Sequence, residues 1–160
     1  MTREEAIANL AKSRQALHQA IEGLSEEEKT QVQVEGVWTI KDVIGHLSFW
    51  EGALLKPLQS YAEGGTFEAD VIADYMTCND EQAALRRDVP LDAIMDESNT
   101  VRQGLVVAAN ELSAEQLEAE VAFPWGGTGT VAQGLSGMAG HEAEHTRPIR
   151  EWRQGDTVTG

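Results

Sequence analysis

Residues 130–152 read TVAQGLSGMAGHEAEHTRPIREW. Within them Val131, Leu135, Met138, His145, Ile149 and Trp152 recur at intervals of three, four and seven, the signature of one helix face. Thr130 stands before the run as an N-cap. Three other stretches carry the same signature. Thr2 and Glu5 form a capping box ahead of Ile7, Leu10, Leu17, Ile21 and Leu24, and Gly23 and Ser25 close that helix. Thr39, with Asp42 in the first turn, precedes Ile40, Val43, Leu47, Trp50, Leu54 and Leu58. Pro90 opens the third run, in which Leu91, Ile94, Val101, Leu105, Ala108 and Leu112 form the stripe and Ser98 fills its missing place.

Between these runs lie the breakers. Glu26 to Gly36 is polar and reads as a short helical turn and then a loop. Gly64-Gly65 and Phe123 to Gly129 read as loops, and Ser113 with Gln116 forms a further cap. Phe67 to Arg87 is helical but less regular, and Pro57 predicts a kink or a helix end. Strand signals are nearly absent. The expected fold is therefore all-α: a four-helix bundle with a short extra helical segment between the second and third long helices. One domain over residues 1–153 accounts for the 160 residues, with 154–160 expected to fray. A Trp-containing loop before the second and fourth helices hints at two related helical hairpins, too weakly to define a repeat.

Twelve Lys and Arg against 27 Asp and Glu give a formal net charge of −15. A field of that sign repels phosphate backbones and anionic lipids, so neither nucleic acid nor a membrane surface is expected as a partner. No apolar run approaches the roughly 20 residues of a membrane span, and the N-terminus is no signal peptide. Cys78 is the only cysteine. It permits no internal disulfide, suits a cytoplasmic location and reads as an inert thiol.

Of the four histidines, His18 lies off its helix's stripe and reads as a surface residue. His141 and His145 are one helical turn apart, so their rings point the same way and can share one metal ion. His46 lies at the edge of the second stripe, and in a bundle the second and fourth helices can face each other. Three histidines leave one tetrahedral position open for water or substrate. Gly134 and Gly137 precede His141 on nearly the same side and leave room there. The run His141-Glu142-Ala143-Glu144-His145 also matches the zincin pattern literally, with Glu142 as base. A small all-helical frame without a strand edge for a peptide argues against a peptidase.

Trp38-Thr39-Ile40-Lys41-Asp42-Val43-Ile44-Gly45-His46-Leu47, followed by Phe49-Trp50-Glu51, resembles the second-helix signature of the DinB-like metal-binding four-helix bundles. His141-x-x-x-His145 resembles that family's second motif. The middle part, from Asn79 through Arg86-Arg87-Asp88-Val89-Pro90-Leu91, resembles its DfsB-type branch. The resemblance implies an up-down-down-up bundle whose three histidines, His46, His141 and His145, hold zinc, nickel or a similar divalent ion. It also implies a homodimer, and activities such as thiol-dependent transfer with mycothiol or bacillithiol, isomerisation, or hydrolysis of a strained toxin ring.

The function expected on these grounds is a divalent-metal-dependent enzyme acting on a small electrophile. Its metal would make a nucleophile of water or of a low-molecular-weight thiol. Glu142, Glu144 and Glu51 are the candidate bases, of which the helical wheel puts Glu142 nearest the core. Trp38, Trp50 and Trp125 are either pocket walls or ordinary core. The alternative is a non-catalytic protein that sequesters a small molecule, and a third possibility is a structural metal that only staples the bundle.

Overall fold

In the computed structural model, which describes residues 1–155, the four stripes become four long helices: α1 (Arg3–Ile21), α3 (Ile40–Ala62), α5 (Leu91–Glu111) and α7 (Val131–Arg153). Three short ones join them: α2 (Glu26–Thr30), α4 (Tyr75–Arg86) and α6 (Ala114–Glu118). Helix α1 packs along α7 and α3 along α5, while α3 also meets α7 across the bundle. The apolar faces bury as two clusters. One is built around Leu10, Leu54, Leu105 and Leu135, the other around Leu17, Ile40, Val43 and Ile149. The expected four-helix bundle is the observed one. Residues 156–160, most of the tail expected to fray, lie outside the described residues.

Local sequence explains where the helices begin. Thr2/Glu5, Ser25/Glu28, Thr39/Asp42, Ser113/Gln116 and Thr130/Gln133 each form a complete reciprocal capping box. In each, two backbone N–H groups that a helix start leaves unpaired are satisfied.

The structure departs from the sequence reading in four places. Pro90 is the N-cap of α5 rather than a first-turn residue. Helix α3 continues through Pro57 to Ala62, held by the burial of Leu54, Pro57 and Leu58. In the segment from Phe67 to Arg87, helix α4 begins only at Tyr75, where the Asp74 side chain accepts from the Thr77 N–H. Two antiparallel hairpins also appear, β1 (Gln33–Glu35) with β2 (Trp38–Thr39) and β3 (Glu120–Ala122) with β4 (Thr128–Thr130). Strands of two or three residues are too short to show an alternating pattern.

A buried ion network crosses the centre. Arg14 of α1 donates from Nε to Glu142 at 2.8 Å and from Nη2 to Glu51 at 3.3 Å. Arg102 of α5 donates from Nε to Glu51 at 2.5 Å. Its Nη2 lies 3.1 Å from Glu142 Oε1, off the line of a hydrogen bond, so that contact is purely ionic. Ser13 adds a 2.7 Å hydrogen bond to Glu142. Two positive and two negative charges, all nearly excluded from solvent, thus cancel. Burial raises the Glu51 carboxyl above its usual range, against the opposing pull of Arg102 and Arg14.

These four residues also reveal an internal two-fold repeat. Each stands twelve positions after the N-cap of its helix, counted from Thr2, Thr39, Pro90 and Thr130. Arg14 donates to the carbonyl of Ser98 and Arg102 to that of Leu10, residues separated, like the two arginines, by 88 positions. Each half is a long helix, a short capped helix, a hairpin and a second long helix. The weak hint of paired hairpins therefore had a structural basis.

Removing one member strands an opposite charge in the core, which costs far more than an exposed pair. Arg102→Met is expected to lower the unfolding free energy in urea by about 3–5 kcal/mol. A loss below about 1 kcal/mol would show that the network is dispensable.

Candidate metal centre

His46 projects from α3 toward His141 and His145 on α7. Their Nε2 atoms converge, with His46 to His141 at 3.0 Å and His145 to His141 at 3.2 Å. One ligating atom from each ring lies within 4.8 Å of the others. Nitrogens on a tetrahedral metal with bonds of about 2.0–2.1 Å stand about 3.3 Å apart, so the cluster needs little adjustment to hold one ion.

Glu35, at the end of β1, receives the Nδ1–H of His145 at 2.7 Å. That bond fixes the tautomer and leaves the Nε2 lone pair aimed at the cluster. Trp38 of β2 packs its ring 4.7 Å from the ring of His46. The first hairpin therefore serves both sides of the cluster. Glu35 gave no signal in the sequence, since it lies in a polar stretch read as a loop.

Burial, then the charges of His141 and His145, pushes His46 down to about 3. Burial, then His145, pushes His141 down to about 4. Both rings are thus neutral near pH 7, with lone pairs free for a cation.

The cluster opens into a cavity of about 470 Å³, within the range of small-molecule sites. Trp38, Trp50 and Trp125 wall it with Met138 and Tyr75, so all three proposed pocket tryptophans do line it. Asn79 and Glu144 contribute its polar groups. Trp50 donates its indole N–H to Asn79 at 2.9 Å, which orients the amide. Gly137 leaves the α7 side of the cavity open, whereas Gly134 is filled by Phe123, which stacks on Trp125.

Glu142 does not sit where a base beside His141 would be needed. It is fully buried, and its oxygens are committed to Ser13, Arg14 and Arg102. The residue after a ligand histidine is turned about 100° around the helix, here into the bundle. The zincin arrangement, which needs this carboxylate at the metal, is therefore absent despite the literal motif. Glu51 is likewise locked in the network, and only Glu144 of the three candidate bases lines the cavity. His18 is exposed, as its place off the stripe implied. Cys78 is partly buried, and burial followed by Glu81 and Asp74 raises its thiol, which disfavours the thiolate.

The sequence matches the DinB superfamily over residues 9–149. The chain belongs to the DinB superfamily. No curated protein matches it. Among solved structures, the DinB fold of this chain is similar to the mycothiol-dependent maleylpyruvate isomerase, at 17% identity and a TM-score of 0.77 over 93% of this chain and 61% of that one. It is similar to DfsB, described as a sibling lethal factor precursor, at 15% identity and TM-score 0.78 over 97% and 96%. It is also similar to the colibactin self-resistance protein ClbS, at 15% identity and TM-score 0.78 over 95% of each chain. At these identities the likeness establishes the shared fold.

ClbS was solved in complex with double-stranded DNA. This overturns the exclusion of nucleic acid drawn above from the net charge of −15. Total charge sets the distant field, while a contact depends on the local distribution of charge, which a sum does not report. Among the described residues, no helix is long and apolar enough to cross a membrane.

The lowered histidines make stability depend on pH. The unfolded chain takes up protons near the ordinary value of 6.5, whereas folded His46 and His141 resist until about 3 and about 4. Their contribution is full above 6.5 and is lost as pH falls through that window. The melting temperature of metal-free protein should therefore fall between about pH 7 and about pH 5, with a shallower slope in a His46→Gln/His141→Gln variant. Equal slopes would contradict the assignment.

Proposed function

We propose that this DinB protein is a divalent-metal-dependent enzyme that acts on a small electrophile, by thiol transfer or hydrolysis. His46, His141 and His145 would hold zinc or nickel. The observation that carries the reading is the convergence of three imidazole Nε2 atoms at the floor of a small-molecule-sized cavity. Three imidazole nitrogens suit either ion, and three protein ligands leave a position open, which favours chemistry over a structural staple.

A divalent ion held there would supply Lewis acidity, bringing a water or a low-molecular-weight thiol toward ionisation near neutral pH. The chain's own residues do the rest. Glu35 holds the Nδ1 proton of His145 and keeps Nε2 as a donor of electrons. Proton transfer falls to Glu144, which lines the cavity, and not to the buried Glu142. The indoles of Trp38 and Trp125 exclude water from the apolar part of the substrate. Asn79, fixed by Trp50, offers a hydrogen bond to orient it.

Metal analysis of purified, tag-free protein tests the site. Wild type reconstituted with zinc or nickel should hold about one equivalent and His145→Ala none, and Glu35→Gln should bind about 10–100-fold more weakly. Retention by His145→Ala would remove these ligands from consideration. Turnover beyond one equivalent of electrophile, abolished by chelation, separates an enzyme from a sequestration protein.

A further inference from the structure

The cavity wall is one-sided in its chemistry. Among the described residues no lysine or arginine lines it. Its fixed charge is the carboxylate of Glu144, which is exposed, and the other polar side chains besides the histidines, Asn79 and Tyr75, are uncharged. Three indoles and Met138 form its apolar wall. The arginines nearest in role, Arg14 and Arg102, are already paired in the buried network.

We infer that the cavity selects an apolar, planar molecule that is neutral or positively charged, and rejects an anionic one. This deepens the metal-enzyme reading and rests on the same cavity being the substrate site. A divalent ion on the three imidazoles would take the negative charge of one nucleophile, and the wall offers no countercharge for a second anion. Burying an unpaired anion against indoles and Glu144 is unfavourable on both counts, desolvation and repulsion. A cation over an indole face, with a carboxylate at hand, is favoured. Gly137 sets the depth of the pocket. A β-carbon there would meet only Trp125, at 3.8 Å, so a larger side chain would enter the cavity without disturbing the helix.

Three probes that share a 1-naphthylmethyl group test the inference: 1-naphthylmethylammonium, 1-naphthalenemethanol and 1-naphthylacetate, the last as the anion, titrated calorimetrically into zinc-loaded and into chelator-treated protein. The ammonium and the alcohol should bind at least about ten-fold more tightly than the naphthylacetate in both preparations. Glu144→Gln should reduce the preference for the ammonium over the alcohol. Gly137→Leu should abolish binding of both, with the metal content and the circular dichroism unchanged. Naphthylacetate binding as tight as the others, or no binding of any probe in either preparation, would overturn the proposal. Probe binding that survives Gly137→Leu in a folded protein would also overturn it, by placing the ligand elsewhere. Should the protein take up no zinc, the metal reading fails, and the order of probe affinities in the chelated protein still decides this one.

Discussion

Four charges inside an apolar bundle must be neutralised together or not at all. Arg14, Glu51, Arg102 and Glu142 come from four different helices, and each guanidinium bridges both carboxylates. Sliding or rotating any one helix would leave a buried ion unpaired, a large penalty in a low-dielectric core. The network therefore sets the rotation of each helix about its axis. On α7 it commits Glu142 to the interior, and the adjoining residue His141, with His145 one turn on, is thereby presented toward α3. On α3 it commits Glu51 inward and leaves His46, five positions earlier, on the side that faces them. The histidine cluster follows from a register that the ion network imposes.

The two-fold repeat shows how a symmetric scaffold carries an asymmetric site. The charges occupy matching positions in both halves, as do the caps. The metal-ligand candidates do not. The position of His46 on α3 corresponds to Gly137 on α7, and those of His141 and His145 on α7 correspond to Trp50 and Leu54 on α3. One half thus gives a histidine where the other gives space, and the other gives a histidine where the first gives a wall. The hairpins are divided in the same way, since β1 and β2 carry Glu35 and Trp38 at the cluster. The loop after β3 places Trp125 across the cavity.

Much of this was legible in the sequence. Four stripes, three of them preceded by a Thr cap and one by Pro90, define the long helices, and the turn spacing of His141 and His145, with His46 at a stripe's edge, brings these three histidines together. What was not legible has physical causes. A helical wheel reports which face is inward, not what meets it there, so Glu142 could be placed near the core but not assigned its arginines. Arg14 and Arg102 look like ordinary surface charges because their partners are remote in sequence. Glu35 acts through a hairpin too short to show a strand pattern. The inference from −15 net charge failed because a sum carries no map of where the charges lie.

X-ray absorption at the zinc edge of reconstituted protein addresses the central claim most directly. The account predicts three imidazole nitrogens and one further light atom at about 2.0–2.1 Å, with no sulfur. A sulfur shell, fewer than three imidazoles, or a fourth protein ligand that closes the site would contradict it.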